Sequence, residues 1–359
     1  MFPQRRELLE VGEYNFLSKE NIRRMEQNNR LHAYLRLLRP QGAAATGIVG
    51  IIGALIMGLR DPFLVSVLFF IGVLIHFFLF VLNEYADVLV DAHSNALQKK
   101  PLVSGMITKR QALVIAVVCV IGAYCLLAVF FFSLYSFVFF SLTVLFAIIY
   151  DLFGKKIPFG DLFIAGMSFF FCVFGASTVS LHFSLLLVIV SAVMFFHILF
   201  DNAVEGGLKD VDHDFLAGAK TTVARLGVKI HEGKLVITPQ FIVFSYGIKM
   251  TYIALIVFAG FQPELNLWFG RYYLIYGIML LLVVVIFVTL YRFWHPLEFN
   301  RQRLIRIFGI HEIASYLLGP IILIPMLGYG LVVLLLFLPV GWFMVWNTIL
   351  YGKFLQPQV

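Results

Sequence analysis

Residues Asn83–Gly105 read NEYADVLVDAHSNALQKKPLVSG, and this stretch decides how the rest of the chain is read. It follows a long apolar run and opens with Asn83, Asp87 and Asp91 at steps of four. If the preceding helix continues through it, all three side chains fall on one face. Carboxylates at the end of a membrane helix are costly unless they are paired, hydrated or bound to a cation. A second acidic cluster, Asp201 to Asp214, follows another apolar run and reads as the partner of the first.

Composition says what kind of run precedes each cluster. The 359 residues are 61% apolar and only 13% charged, with a mean hydropathy of +0.93. A soluble domain is near half apolar and a quarter charged, so the chain reads as an integral, multi-pass membrane protein. Its 39 phenylalanines suit lipid-facing helices, and they also suit a cavity built for a hydrocarbon chain or a carbocation. Cys119, Cys125 and Cys172 lie inside apolar runs without metal-ligand spacing and read as packing residues. The N-terminus lacks the short apolar core of a cleavable signal peptide. A net charge of +7 raises nucleic acid as a partner, but the basic residues are dispersed among loops, which excludes it.

Two segments are expected. Residues 1–32 are polar, and the SKENIRRMEQNNRLHAYLRLL pattern, with Leu31, Tyr34, Leu35 and Leu38 at helical spacing, predicts an interfacial amphipathic helix beginning near Ser18. Residues 33–359 form the membrane domain, an all-α bundle of nine to ten spans at ~20 residues per crossing. The runs lie near 43–60, 62–82, 111–132, 134–150, 161–181, 183–204, 238–260, 272–292, 309–326 and 328–350, the last two separated only by Leu327. With a cytoplasmic N-terminus, the inner loops hold Lys99, Lys100, Lys155, Lys156, Lys209, Lys220 and the arginines of 301–306, while the outer loops hold only Arg60 and Arg271. That asymmetry predicts the orientation and puts both acidic clusters on the cytoplasmic side. Lys249 falls within a span and has no place in this scheme. Four spans separate the clusters, which suggests a pair of four-helix units.

Asn83, Asp87 and Asp91 offer the oxygen ligands that Mg²⁺ prefers, through one or two carboxylates plus phosphate oxygens and waters. His93, two residues on, reads as a hydrogen-bond partner. In the second cluster Asp210 and Asp214 repeat the spacing of four, and His197, Asp201 and Glu205 make another row of fours at the end of the sixth span. Gly206 and Gly207 predict a helix break between the rows. Asp212 faces elsewhere and reads as solvated. An EF-hand is excluded, because the Gly and closing Glu are not at the required offsets. Lys99, Lys100, Lys155, Lys156, Lys209 and Lys220 share the membrane side of these carboxylates and suit the diphosphate oxygens that a metal leaves exposed.

Four blocks then resemble the UbiA superfamily of intramembrane prenyltransferases, over roughly residues 33–300. YLRLLRP (Tyr34–Pro40) is similar to the family's approach to its first span. NEYADVLVD (Asn83–Asp91) resembles its NDxxDxxxD motif, followed by KKPLVSG. YDLFGKK (Tyr150–Lys156) is similar to its Tyr…Lys segment, and DVDHDFLAGAKTTVARLG (Asp210–Gly227) to its DxxxD block with Gly-x-Lys-Thr and a closing Leu-Gly. Glu84 stands where the family usually has Asp, Asp161 where Asn is frequent, and the Gly206–Gly207 pair departs from the common pattern.

The resemblance implies transfer of a polyprenyl group from its diphosphate to a lipophilic acceptor. In this reading Asp87, Asp91, Asp210 and Asp214 hold Mg²⁺ with Asn83, and Asn83 and Asp201 orient ligands or water. Lys100, Lys155, Lys156, Lys209 and Lys220 bind the diphosphate, and Tyr150 offers its hydroxyl or its ring. The isoprenoid tail lies between apolar helices open to membrane lipid. An aromatic quinone or pigment precursor is the first choice of acceptor. The alternatives are a prenylglyceryl phosphate, as in archaeal ether-lipid synthesis, and a terpene cyclase with no second substrate. A cation-coupled transporter is disfavoured because its carboxylates belong near the bilayer midplane, and a non-catalytic scaffold needs neither acidic motif. His311 and Glu312 start a span on the same side and read as local caps or partners.

Overall fold

The protein is described by a computed structural model, which covers residues 30–92, 97–216, 218–294, 299–352 and 354. His93 and nearly all of the 1–32 segment lie outside the described residues, and residues 30–38 are helical as the pattern requires. Ten longer helices make up the bundle: α1 (Ala43–Ile56), α2 (Pro62–Asp91), α3 (Lys109–Phe130), α4 (Leu134–Phe153), α5 (Asp161–Ser177), α6 (Leu185–Phe200), α7 (Pro239–Ala259), α8 (Tyr273–Phe293), α9 (Arg301–Ile321) and α10 (Ile324–Tyr351). Eight helices of the described residues are long and apolar enough to cross a membrane. Two of the expected spans are shorter, α1 with 14 residues and α5 with 17, while α6 reaches spanning length because its helix runs on to Lys209.

Local chemistry sets where the helices begin. Thr108 and Gln111 form a capping box at the start of α3, and Ser133 with Ser136 does the same for α4. Ser184, Thr238 and Asn300 cap α6, α7 and α9. Each such cap contributes about 1 kcal/mol. The last two spans divide earlier than expected: α9 ends at Ile321, and α10 starts at Ile324 with Pro325 in its first turn. The break expected near Leu327 survives as a kink, because Gly328 adopts φ 75° inside α10.

α1 packs on α2 and α5, α4 on α5, and α6 on both α5 and α7. The α1–α5 crossing depends on glycine. A Cβ at Gly53 would stand 1.9 Å from the Cys172 carbonyl oxygen, and one at Gly175 1.8 Å from that of Gly50. The two helices touch backbone to backbone, the approach that small residues permit in membranes. α1 and α5 are also the first helices of the two expected four-helix units.

The all-α expectation needs one addition. A small antiparallel hairpin, β1 (Lys229–His231) with β2 (Lys234–Val236), precedes α7. Glu232 and Gly233 make its two-residue turn with φ 51° and 74°, the doubly positive geometry of a type I′ turn. Glu is not a usual residue there, so the turn gave no clear sequence signal.

Candidate active site

α2 does not stop at the end of its apolar run but continues to Asp91, so Asn83, Asp87 and Asp91 do share a face. That face is buried: Asp91 is 4% exposed, while Leu89 on the other side is 70% exposed. The Asn83 side chain lies close to Asp151 on α4. Asp91 accepts from Lys100 at 2.6 Å, which ties the following loop back onto the helix. Glu84, also buried, takes Arg39 at 3.3 Å. Arg39 itself has φ 49°, uncommon for a residue with a side chain. Its carbonyl accepts from His76 Nε2 at 2.8 Å, and the next carbonyl, of Pro40, accepts from Trp342 at 2.7 Å.

Lys155, in the turn after α4, joins the two acidic motifs. Its Nζ lies 3.0 Å from Asp87 Oδ2 and 3.6 Å from Asp214 Oδ1, one carboxylate from each motif. Its own carbonyl accepts from the Lys220 amide at 2.9 Å, so the loop behind the second motif is pinned to the same turn. Thr222 donates to Asp161 Oδ2 at 2.6 Å and fastens that loop to the start of α5. Burial pushes the Asp214 carboxyl up to about 6; Lys155 pulls it down, and the neighbouring Asp210 and Asp87 add to the rise. Burial works to lower Lys155, but Asp87 and Asp214 outweigh it and hold the ammonium above its ordinary range.

Asp210 faces Arg301, whose Nη2 donates to Oδ1 at 2.6 Å, with Lys209 at 3.8 Å. Sequence alone counts Arg301 only as an inner-loop charge. The Tyr150 hydroxyl donates to Asn202 Oδ1 at 3.2 Å, which brings it beside the approach to the second motif. Two expected lysines stand apart from the carboxylates: Lys156 is exposed over the Phe153 ring at 5.4 Å, and the Lys220 side chain is exposed. Asp212 is half-buried rather than solvated.

The expected break at Gly206–Gly207 is replaced by a change of winding. α6 passes into a π-helical segment, Asp201–Gly206, and the helix resumes over Gly207–Lys209. The Gly207 amide bonds to the Asn202 carbonyl, five residues back. Gly207 admits a neighbour instead of breaking the helix, since a Cβ there would lie 2.2 Å from Val223 Cγ2. Asp201 belongs to a different group from Asp87 and Asp214: it lies 3.5 Å from His197 and within electrostatic reach of Lys249, Glu205 and Glu312.

Among the described residues, no three His, Cys, Asp or Glu side chains stand close enough to cage a metal ion. A hard octahedral cation needs no such cage, because it takes one or two carboxylates and fills its other positions with phosphate oxygens and water. The oxygen-only pairs Asp87/Asp91 and Asp210/Asp214, one helical turn apart in each motif, fit that demand.

The fold and the site together define a membrane-embedded helical bundle whose two acidic segments, distant in sequence, meet at Lys155 at one end. The UbiA prenyltransferase family model matches residues 43–308, and the chain belongs to that family: it is a membrane prenyltransferase. No curated protein sequence matches it. Its fold is similar to that of an apo UbiA homologue from Aeropyrum pernix K1, with a TM-score of 0.62 at 17% identity over 81% of this chain and 100% of that one. A digeranylgeranylglyceryl phosphate synthase structure is similar with a TM-score of 0.58 at 17% identity, covering 84% of this chain and 100% of its own. A UbiA homologue from Archaeoglobus fulgidus, bound to DMAPP and Mg²⁺, aligns at 0.58 and 17% identity over 82% of this chain and 98% of that one.

Proposed function

We propose that the protein transfers a polyprenyl group from polyprenyl diphosphate to a lipophilic acceptor, with Mg²⁺ as cofactor, and releases diphosphate on the cytoplasmic side. The observation that carries this reading is Lys155, whose ammonium sits between Asp87 and Asp214 and so makes one polyanion site of two motifs. Asp87, Asp91, Asp210 and Asp214 would hold the metal, with Asn83 on the same helix face close to Asp151. Bound there, Mg²⁺ supplies Lewis-acid stabilisation of the charge that develops on the leaving diphosphate. Lys155, Lys100 and Arg301 are anchored by carboxylates and positioned to turn toward phosphate oxygens. The allylic C–O bond breaks with its electron pair going to diphosphate. A new bond forms between the allylic carbon and the acceptor, which gives up a proton. The Tyr150 hydroxyl is oriented by Asn202 at the same end of the bundle. The acceptor is an aromatic quinone or pigment precursor.

The test uses purified protein in detergent with Mg²⁺, a polyprenyl diphosphate and a panel of acceptors, and reads released diphosphate and prenylated product. Asp87→Ala and Asp210→Ala are each expected to abolish both. Full turnover in both variants overturns the assignment.

A further inference from the structure

α8 and α9 pack against each other, and the turn that starts α9 lies at the end of the bundle that carries the acidic motifs. A cavity of about 630 Å³ is lined by Tyr291 and Arg292 on α8 and by Asn300, Gln302, Arg303 and Arg306 at the start of α9. That size falls within the ~300–1,000 Å³ of ligand pockets. The transfer step uses none of these residues.

Three guanidinium groups share the cavity, and among the described residues none of the three is paired with a carboxylate. Arg301, in the same turn, shows what an arginine does here when an acid is near: it pairs with Asp210 at 2.6 Å. Arg303 and Arg306 stand three apart on one helix face, where like charges destabilise the helix unless an anion joins them. An excess of basic residues on one side of a membrane accounts for arginines at this end of the chain. It does not account for three that converge on one cavity with no acid among them.

The other polar groups also offer donors. Asn300 Oδ1 caps α9 by accepting from the Arg303 backbone amide at 2.9 Å, so the Nδ2 hydrogens are what Asn300 presents. Gln302 adds a second amide. Planar guanidinium forks match phosphate oxygens, often with two bonds to one group. Among the described residues no carboxylate lines the cavity, so a magnesium-bound diphosphate finds no metal ligand there.

The apolar continuation commits the ligand to a lipid. Val284, Val288 and Arg292 recur at steps of four on α8, and Arg303, Arg306, Ile310 and Ile313 at steps of three and four on α9. Each helix therefore carries one stripe that is cationic at the cavity and apolar beyond it, and the four apolar residues are all exposed. At about 1.5 Å per residue the stripes run roughly 12–15 Å, a length that acyl chains cover below a head group. Tyr291 is exposed at the junction of charge and apolar surface, the usual place of an amphipathic ring at a membrane boundary.

We infer that this cavity binds an anionic phospholipid, with its phosphodiester held by Arg292, Arg303 and Arg306 and its acyl chains along the two stripes. The site borders the reaction without belonging to it. Arg301 leaves the same first turn of α9 for Asp210, so a lipid that fastens this turn steadies the second acidic motif.

The test reads retained lipid rather than turnover. The detergent-solubilised full chain is mixed, without Mg²⁺, with equal amounts of dioleoylphosphatidylglycerol and dioleoylphosphatidylcholine, and the intact complex is weighed by mass spectrometry. At about fivefold per basic residue, three arginines predict a phosphatidylglycerol preference of about tenfold or more. Arg303→Gln with Arg306→Gln, checked for monodisperse elution, is expected to bring that preference below about threefold, and Arg292→Gln to lower it about fivefold. Arg303→Lys with Arg306→Lys keeps the charge and should keep most of the preference, which a loss of structure would not allow. Lys229→Gln with Lys234→Gln removes the same charge from the exposed hairpin and should change nothing.

Equal retention of the two lipids, a preference unmoved by the arginine variants, or displacement of phosphatidylglycerol by millimolar diphosphate or by glycerophosphoglycerol would each overturn the inference. A second arm rests on the prenyl-transfer reading: the donor KM is expected to be about fivefold lower in phosphatidylglycerol nanodiscs than in phosphatidylcholine ones, and the Arg303→Gln, Arg306→Gln variant should lose that difference. Equal KM values overturn the link to Arg301. Absence of diphosphate release in both lipids strikes the transfer reading instead and leaves the retention result standing.

Discussion

Arg301 donates to Asp210 across 2.6 Å, although 91 residues separate them in the chain. The pair joins the second acidic motif to the first turn of α9, and with it the C-terminal helices to the candidate site. A hydrogen bond between charged groups contributes about 1.5–3 kcal/mol. Arg301→Ala is therefore expected to raise the KM for the diphosphate donor by roughly ten- to a hundredfold, with Arg301→Lys intermediate because a point charge replaces a planar fork. Steady-state donor titrations check this, and an unchanged KM in the Ala variant contradicts it.

The neighbouring lysines of the YDLFGKK block should behave very differently. Lys155 is held between two carboxylates, while Lys156 points outward over Phe153. Lys155→Ala is expected to lower kcat/KM by at least about a hundredfold, since it removes the half-buried cation shared by the buried Asp87 and Asp214 carboxylates. Lys156→Ala should stay within about threefold, the range of a surface cation. Equal losses in the two variants would contradict the placement.

Chelation offers a separate check on the carboxylates. With EDTA, diphosphate release is expected to fall to background and to return on adding Mg²⁺. Asp91→Asn should shift the half-maximal Mg²⁺ concentration upward by about tenfold, because one carboxylate of the first pair is lost while the helix face is kept. A metal titration at saturating donor reads both effects. Activity that persists in EDTA excludes the cofactor.

The glycine crossing is testable through stability alone. Gly175→Ala places a methyl against the Gly50 carbonyl, where neither backbone can yield cheaply, and should cost about 1–3 kcal/mol or more. Gly277→Ala, on α8 with nothing within 4 Å of the added atom, should be neutral or stabilise by up to about 1 kcal/mol. Thermal unfolding in detergent separates the two, and equal midpoints would contradict the backbone contact.

Much of this architecture was legible in the sequence because the bilayer imposes long apolar runs, and the step of four is visible wherever a polar row interrupts one. Asn83, Asp87 and Asp91 could be placed on one face for that reason, and α2 does carry them there. Arg301 gave no local signal, since its partner is fixed only when α9 folds back. Lys249 did give one, a lone cation inside a span, but spacing cannot say which carboxylates from two other helices will meet it. Gly206–Gly207 misled because glycine reads as a breaker, whereas here the missing Cβ makes room for Val223.

The winding change at Asp201–Gly206 has a consequence of its own. One residue advances an α-helix by about 100°, so a segment bonded five apart acts as a phase shifter between the helical turns on either side of it. The row of His197, Asp201 and Glu205 thereby addresses a direction that the turn over Gly207–Lys209 no longer faces, and the helix then breaks at Asp210 before a short new one carries Asp214. Removing a single residue from that segment would turn everything behind it by about 100° and carry the second acidic motif out of register with Lys155 and Arg301.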